Sequence, residues 1–314
     1  MALRIVFLDE YSMGGADLTH LRSLGEYTGY EMTDDELTVE RCHRADVVIS
    51  NKVALKEDVI GQLPDLKLIC VAATGMNNVD LAAAAAAGIL VANAMDYSTH
   101  SVAEQTLCSA LALLKQLLYF DDFVKGGAYA AAGRLFDFGR PTHELYGKRW
   151  GIIGLGNIGR QVARLAEAFG CEVAYHSTSG KNHDAEYTEK SLEELLGWAD
   201  VVSIHAPLSK QTYHLIDYPQ LSLMKRGAII VNMARGSIVN EEGLARALNE
   251  GLIAGAATDV YSREPIAKDN PLLRVEDKYK LVLTPHSAWA TKEALQRLVD
   301  KVTENIERFI AGTL

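Results

Sequence analysis

The chain has 314 residues, 48% of them hydrophobic, which is ample for a packed core and long for a single one, so two domains are expected. A net charge of -10 and a pI of about 5.4 argue against nucleic acid or anionic lipid as partners. The N-terminal MALRIVFLDEY turns acidic too soon for a signal peptide, and no stretch reaches the roughly 20 apolar residues that a spanning helix needs.

RIVFLD at 4–9, DVVIS at 46–50, LKLICVAA at 66–73 and ILVAN at 89–93 read as strands, with amphipathic or Ala-rich segments between them. This βαβα order implies a parallel sheet covered on both faces. The run Ala82 to Ala87 reads as a helix with a small-residue packing face. From about Ser101 a long helix is expected to about Lys125. The stretch from Gly126 to Arg149 follows as a connector, with two adjacent glycines and a proline. Its aromatics Tyr129, Phe136, Phe138 and Tyr146 need burial, either within the monomer or at a subunit interface. A second series of strands is readable at 150–154, 172–176, 201–205, 228–232, 254–260 and 280–284, which fits a doubly wound sheet. The last segment, from about Thr291, reads as a helix that crosses back to the first domain. Cys42, Cys70, Cys108 and Cys171 show no Cys-x-x-Cys spacing. They read as reduced structural thiols of a cytoplasmic protein, with no metal site; Cys70 and Cys108, in apolar runs, read as buried.

Gly154-Leu155-Gly156-Asn157-Ile158-Gly159 follows a strand and opens a helix, the context of a dinucleotide fingerprint. Gly154 makes the tight turn, Gly156 admits a pyrophosphate, and Gly159 lets helix and strand pack closely. An acid that reads the adenosine ribose belongs at the end of the next strand. Here Ser177, Thr178, Ser179 and Lys181 stand instead, and no acid appears before Asp184. That composition admits a 2′-phosphate, or else leaves the ribose loop without a phosphate partner, so the cofactor is NAD(P)H with a lean to NADP.

Arg235 follows the AIIVN strand, Glu264 follows the strand at 254–260, and His286 follows the last strand. All three therefore leave the carboxyl edge of one sheet, where open α/β sheets bind ligands. A guanidinium there suits a carboxylate, which it can hold by two parallel hydrogen bonds. Hydride transfer to a ketone needs a proton donor for the alkoxide, and a histidine with a carboxylate behind it fills that part.

These motifs, together with Ala72-Ala73-Thr74-Gly75-Met76-Asn77-Asn78-Val79-Asp80, His205-Ala206-Pro207-Leu208, the NMARG run and Asp259 to Pro265, resemble the D-isomer-specific 2-hydroxyacid dehydrogenase family. Tyr97 to Val102 and the His-x-Ala-Trp ending at 286–289 are similar to its glycerate dehydrogenase (hydroxypyruvate reductase) branch. The resemblance implies a flavodoxin-like α/β substrate domain over 1–100 and 287–314, and a Rossmann cofactor domain over 101–286. It further implies a homodimer, with a dimerisation segment around 120–148. By the same likeness Arg235 binds the substrate carboxylate and polarises the ketone, His286 is the acid/base, and Glu264 is its partner. Gly75 and Met76 offer N–H groups to the carboxylate. Asp259 holds the nicotinamide carboxamide, and Pro207 and Thr212 line the cofactor groove. The departure is Ser177, where many relatives carry Asp. Lys52 reads as a surface lysine. Hydroxypyruvate or glyoxylate is the expected substrate. The alternatives are a phosphoglycerate or formate dehydrogenase, or a corepressor-like protein that senses the cofactor without turning it over.

Overall fold

In the computed structural model, which describes residues 2–181 and 183–314, the chain divides into one unit of Met1–Ser98 with Trp289–Leu314 and a second of Thr99–Ala288. The first holds five parallel strands: β1 (Arg4–Phe7), β2 (Glu26–Gly29), β3 (Val47–Ser50), β4 (Leu68–Val71) and β5 (Leu90–Asn93). They stand in the order β2-β1-β3-β4-β5. Alternate side chains point to opposite faces, and both faces are apolar. Ile5, Phe7, Val47, Ile49, Leu68 and Cys70 pack on one side. Val6, Leu8, Val48, Ile69 and Val71 pack on the other.

The first of these faces is completed from the far end of the sequence. Helix Lys292–Ile310 is capped by Thr291, whose hydroxyl accepts from Ala294 N, and buries Leu295, Leu298, Val299, Val302 and Ile306 at three- and four-residue spacing. Full burial of a Leu or Ile contributes roughly 2 kcal/mol, so this helix is integral to the first unit. The edge strand β2 was not readable in the sequence. Its EYTG segment carries no apolar run and stays largely exposed, with its place set by backbone pairing to β1.

The second unit holds β6 (Arg149–Ile153), β7 (Glu172–His176), β8 (Thr188–Glu189), β9 (Val201–Ile204), β10 (Ile229–Asn232), β11 (Gly255–Thr258) and β12 (Leu281–Leu283). Their order is β12-β11-β10-β9-β6-β7-β8, all parallel. The winding direction reverses between β6 and β9, which is the switch point where such sheets take ligands. Trp150 on β6 is fully buried, and its ring nitrogen donates to Ser203 Oγ of β9 at 2.9 Å.

Two expectations are corrected here. The helix read from Ser101 to Lys125 is two helices, Thr99–Leu114 and Leu117–Lys125. Gln116 takes a left-handed φ of 52° between them, its amide donates to the Leu113 carbonyl, and His143 N–H donates to that of Leu114. These bonds satisfy carbonyls that would otherwise accept from the next turn. Cys108 is exposed on the outer face of the first helix, whereas Cys42, Cys70 and Cys171 are buried and burial pushes their thiols up. The connector leaves Phe136, Phe138 and Tyr146 exposed, at 67%, 88% and 78%, so their burial does not come from within the chain. Among the described residues no helix is long and apolar enough to cross a membrane, and no group of three or more His, Cys, Asp or Glu could hold a metal ion.

Candidate active site

Gly154 ends β6 with φ at 93°, and a Cβ there would stand 2.8 Å from the Ala206 nitrogen. Glycine alone fits both the angle and the contact. A Cβ on Gly159 would run into the Gly154 carbonyl, which explains the close packing of helix Asn157–Ala168 on the turn. Gly156 differs. A Cβ there would meet nothing within 4 Å, so the backbone at the helix N-terminus borders open space. The first-turn N–H groups of a helix have no partner within it and carry partial positive charge. A dinucleotide pyrophosphate fits that cradle. Leu155 is buried beneath it, and Asn157 and Ile158 begin the helix.

The ribose end lies after β7. Ser177 Oγ is shut off from solvent and has no hydrogen-bond partner among the described residues. Thr178 is half-buried, and Lys181 is exposed with its backbone N–H on Ser179 Oγ at 3.2 Å. Asp184, the first acid of the segment, is paired to the Arg160 guanidinium, and its N–H donates to Tyr175 OH at 2.9 Å. Its carboxylate is therefore already engaged. On the other side of the switch point, Pro207 is exposed and Thr212 is 2% exposed. The Thr212 hydroxyl donates to the Pro207 carbonyl at 2.7 Å and accepts from Ser209 N at 2.7 Å. Thr212 thus shapes the loop that presents Pro207.

Arg235, Glu264 and His286 follow β10, β11 and β12, three neighbours in the sheet. Asn232, 4% exposed, holds the turn before Arg235. Its side chain accepts from Ala234 N at 3.1 Å and donates to Arg235 O at 3.0 Å. Arg235 forms no ion pair among the described residues; its Nη1 bonds only the Ala234 carbonyl, at 2.8 Å. A guanidinium with no acid beside it has most of its donors left for a ligand. His286 Nδ1 lies 2.6 Å from Glu264 Oε2, and Glu264 Oε1 accepts from Tyr261 N at 3.0 Å. The carboxylate is so fixed on one side and orients the imidazole on the other, leaving Nε2 as the ring's reactive nitrogen. His286 itself has a left-handed φ of 53°.

Asp259 holds that turn. It is 1% exposed, and its carboxylate accepts from Thr284 Oγ1 at 2.5 Å, Ser287 N at 2.9 Å and Ala288 N at 2.8 Å. Both oxygens brace the loop carrying His286. The structure thus gives Asp259 a positioning part for that loop. In the first unit, Gly75 and Met76 lie in the loop after β4, and neither N–H donates to another described residue.

Two groups at the sheet edges were given no role from the sequence. Asn51 follows β3, and both atoms of its side-chain amide are buried without partners. His205 follows β9. It keeps some surface, yet both ring nitrogens are buried and unpartnered, and desolvation pushes it down to about 3. His205 is thus neutral near neutral pH and cannot donate as imidazolium there. Nothing in their spacing marks either residue; the only signal is a polar residue directly after an apolar parallel strand. A stability prediction follows from His205. Its folded value, about 3, lies below the ordinary 6.5, so between the two the unfolded chain binds a proton that the folded chain does not. Stability is lost as pH falls through that window, by up to about 1.4 kcal/mol per pH unit. Urea unfolding of wild type and His205→Gln between pH 7 and 4 is expected to diverge by that slope, and parallel curves would contradict it.

A glycine-rich turn at the switch point of a doubly wound sheet, beside an arginine and a histidine–carboxylate pair, defines a dinucleotide-dependent oxidoreductase. The family model for "D-isomer specific 2-hydroxyacid dehydrogenase, NAD binding domain" matches residues 107–288. The chain is 39% identical to a glycerate dehydrogenase of Methylorubrum extorquens, over 99% of this chain and 98% of that one. It is 36% identical to a hydroxypyruvate reductase of Blautia hydrogenotrophica, over 99% and 98%. Its fold matches a D-lactate dehydrogenase of Aquifex aeolicus complexed with NAD and lactic acid, with TM-score 0.86 and 28% identity over 99% and 96%. The chain belongs to the D-isomer-specific 2-hydroxyacid dehydrogenase family, and its cofactor is a nicotinamide dinucleotide.

Proposed function

We propose that the protein reduces a small 2-keto acid, hydroxypyruvate or glyoxylate first, to the D-2-hydroxy acid, and runs the reverse reaction when conditions favour it. The observation that carries this reading is the 2.6 Å His286–Glu264 bond, together with an arginine that forms no ion pair among the described residues, on three neighbouring strand ends. The cofactor supplies the hydride. Arg235 holds the substrate carboxylate and stabilises negative charge gathering on the keto oxygen. His286 Nε2 delivers the proton to that oxygen as the C–H bond forms, and Glu264 steadies the imidazolium before transfer. Gly75 and Met76, whose N–H groups donate to no other described residue, are proposed as further donors to the carboxylate. The exposed Phe136, Phe138 and Tyr146 support a homodimer built through the 120–148 segment, and four unpaired thiols suit a cytoplasmic location. The test is a panel of 2-keto acids crossed with NADH and NADPH. Reduced nucleotide that binds but is never oxidised would replace this reading with a cofactor sensor.

We further propose a moderate preference for NADPH. Asp184 is committed to Arg160, so the ribose position offers Ser177, Thr178 and Lys181 without a free carboxylate. Hydroxyls donate to phosphate oxygens, and an exposed lysine adds a screened charge worth about 0–1 kcal/mol. The preference should therefore be within roughly tenfold and weaken with salt. Ser177→Asp is expected to reverse it, by adding a ribose acceptor and repelling the 2′-phosphate. kcat/KM for both cofactors at low and high ionic strength decides the matter. A clear wild-type preference for NADH would end this part of the proposal.

A further inference from the structure

Helix Glu241–Asn249 starts shortly after Arg235, and its first residue is an acid. An acid in that place usually serves the helix it opens, by facing the partial positive charge of the first turn. Here the cap does that work: the Asn240 side chain accepts from Glu242 N at 3.1 Å and from Gly243 N at 3.2 Å. Glu241 instead gives both carboxylate oxygens to the segment that follows β11. Oε1 accepts from Ser262 N at 2.9 Å, and Oε2 accepts from Ser262 Oγ at 2.5 Å and from Asn270 Nδ2 at 3.0 Å. Asn270 is 5% exposed, and its own oxygen accepts from Leu272 N, so the donor is fixed in place. Hydrogen bonds to an ionised acceptor are roughly twice as strong as neutral ones, and three on one carboxylate make a firm tie.

The tied segment carries Glu264. Tyr261 N donates to Glu264 Oε1 at 3.0 Å, and Tyr261 OH donates to Thr284 O at 2.9 Å, on the turn that presents His286. Gly236, next to Arg235, presses on the same backbone, for a Cβ there would run into the Tyr261 carbonyl. The Tyr261–Ser262 peptide therefore lies against the Arg235 turn and gives its N–H to Glu241. All of these residues belong to the second unit. We infer that Glu241 is a positioning residue that holds this peptide where Glu264 can reach His286 Nδ1. The inference rests on the reductase reading above. Glu241 acts through Glu264 and not on the reacting atoms. Without its carboxylate the peptide loses the acceptor that sets its orientation, and Glu264 loses the fixed backbone behind its 2.6 Å approach to Nδ1. A misplacement of about 1 Å can cost on the order of a hundredfold in rate.

The test is a double-mutant cycle on kcat with hydroxypyruvate or glyoxylate, using wild type, Glu241→Ala, Glu264→Gln and the double variant. Glu241→Ala is expected to lower kcat roughly tenfold to a hundredfold, with KM within about threefold of wild type. Glu241→Gln should lose less, since it keeps an acceptor for Ser262 N while setting an amide against the Asn270 donor. In the Glu264→Gln background the alanine change should cost little more, because residues that act as one unit are not additive. Hydrogen exchange adds a readout without turnover: the Ser262 amide should exchange faster in Glu241→Ala and stay protected in Glu241→Gln. If the alanine variant fails to fold, the same cycle is run with Glu241→Gln. Unchanged kcat or unchanged Ser262 exchange in a folded Glu241→Ala, or a loss that multiplies fully with that of Glu264→Gln, overturns the inference and leaves the reductase reading standing. Wild type that turns over no keto acid removes that reading and this inference together.

Discussion

His286→Asn is expected to slow keto-acid reduction by roughly 10²–10⁴-fold in kcat, the usual worth of a positioned acid/base. Asparagine is the informative replacement because His286 has φ at 53°, and Asn tolerates that region better than most residues. The turn then survives, and the loss reports chemistry alone. Glu264→Gln probes the same pair from behind. The carboxylate 2.6 Å from Nδ1 orients the ring, and an amide there keeps a polar contact without the charge. Glu264→Gln is therefore expected to lower kcat for reduction and oxidation alike, with KM little changed. Undiminished kcat in Glu264→Gln would separate Glu264 from the proposed proton transfer, and undiminished kcat in His286→Asn would remove the histidine from it.

Arg235→Lys should cost about 3 kcal/mol in kcat/KM, on the order of a hundredfold, the size of a lost oxyanion donor. The guanidinium is planar and offers a fork that matches a carboxylate, while an ammonium is a point charge on a flexible stem. Because Asn232 holds the turn and no acid among the described residues pairs with Arg235, lysine would sit in an intact loop with none of those acids to redirect it. Both kcat and KM are expected to suffer, since in the proposed reaction one group serves binding and charge stabilisation. Kinetics within threefold or so of wild type in a folded variant would place the substrate carboxylate elsewhere.

The central strands were legible because a parallel sheet buried on both faces needs near-continuous apolar runs, as at Val47–Ser50 and Ile229–Asn232. The candidate trio of Arg235, Glu264 and His286 was legible for a related reason: each lies within six residues of the end of a sheet strand, and strand ends are where ligands bind. What escaped had no such signature. Strands Glu26–Gly29 and Thr188–Glu189 are edge pieces fixed by backbone pairing, not by their side chains. The break at Gln116 depends on His143, 27 positions along the chain, donating to Leu114. The bracing of His286 by Asp259 spans a similar separation, and the unpartnered state of Asn51 and His205 depends on everything packed around them. Local pattern carries none of these.

The C-terminal helix has a bearing on the order in which the chain can mature. Leu298, Val302 and Ile306 cover the face formed by Ile5, Phe7, Val47 and Leu68, residues made some 230 positions or more earlier. Domains generally fold as units while synthesis proceeds from the N-terminus. Here the unit that begins first closes last. The whole of Thr99–Ala288 emerges, with all the strands of its own sheet, while the part of that earlier face which Met13, Leu18 and Leu21 do not share remains without its cover. That partly open sheet is the species a ribosome-bound chaperone would meet, and the final helix ends its exposure.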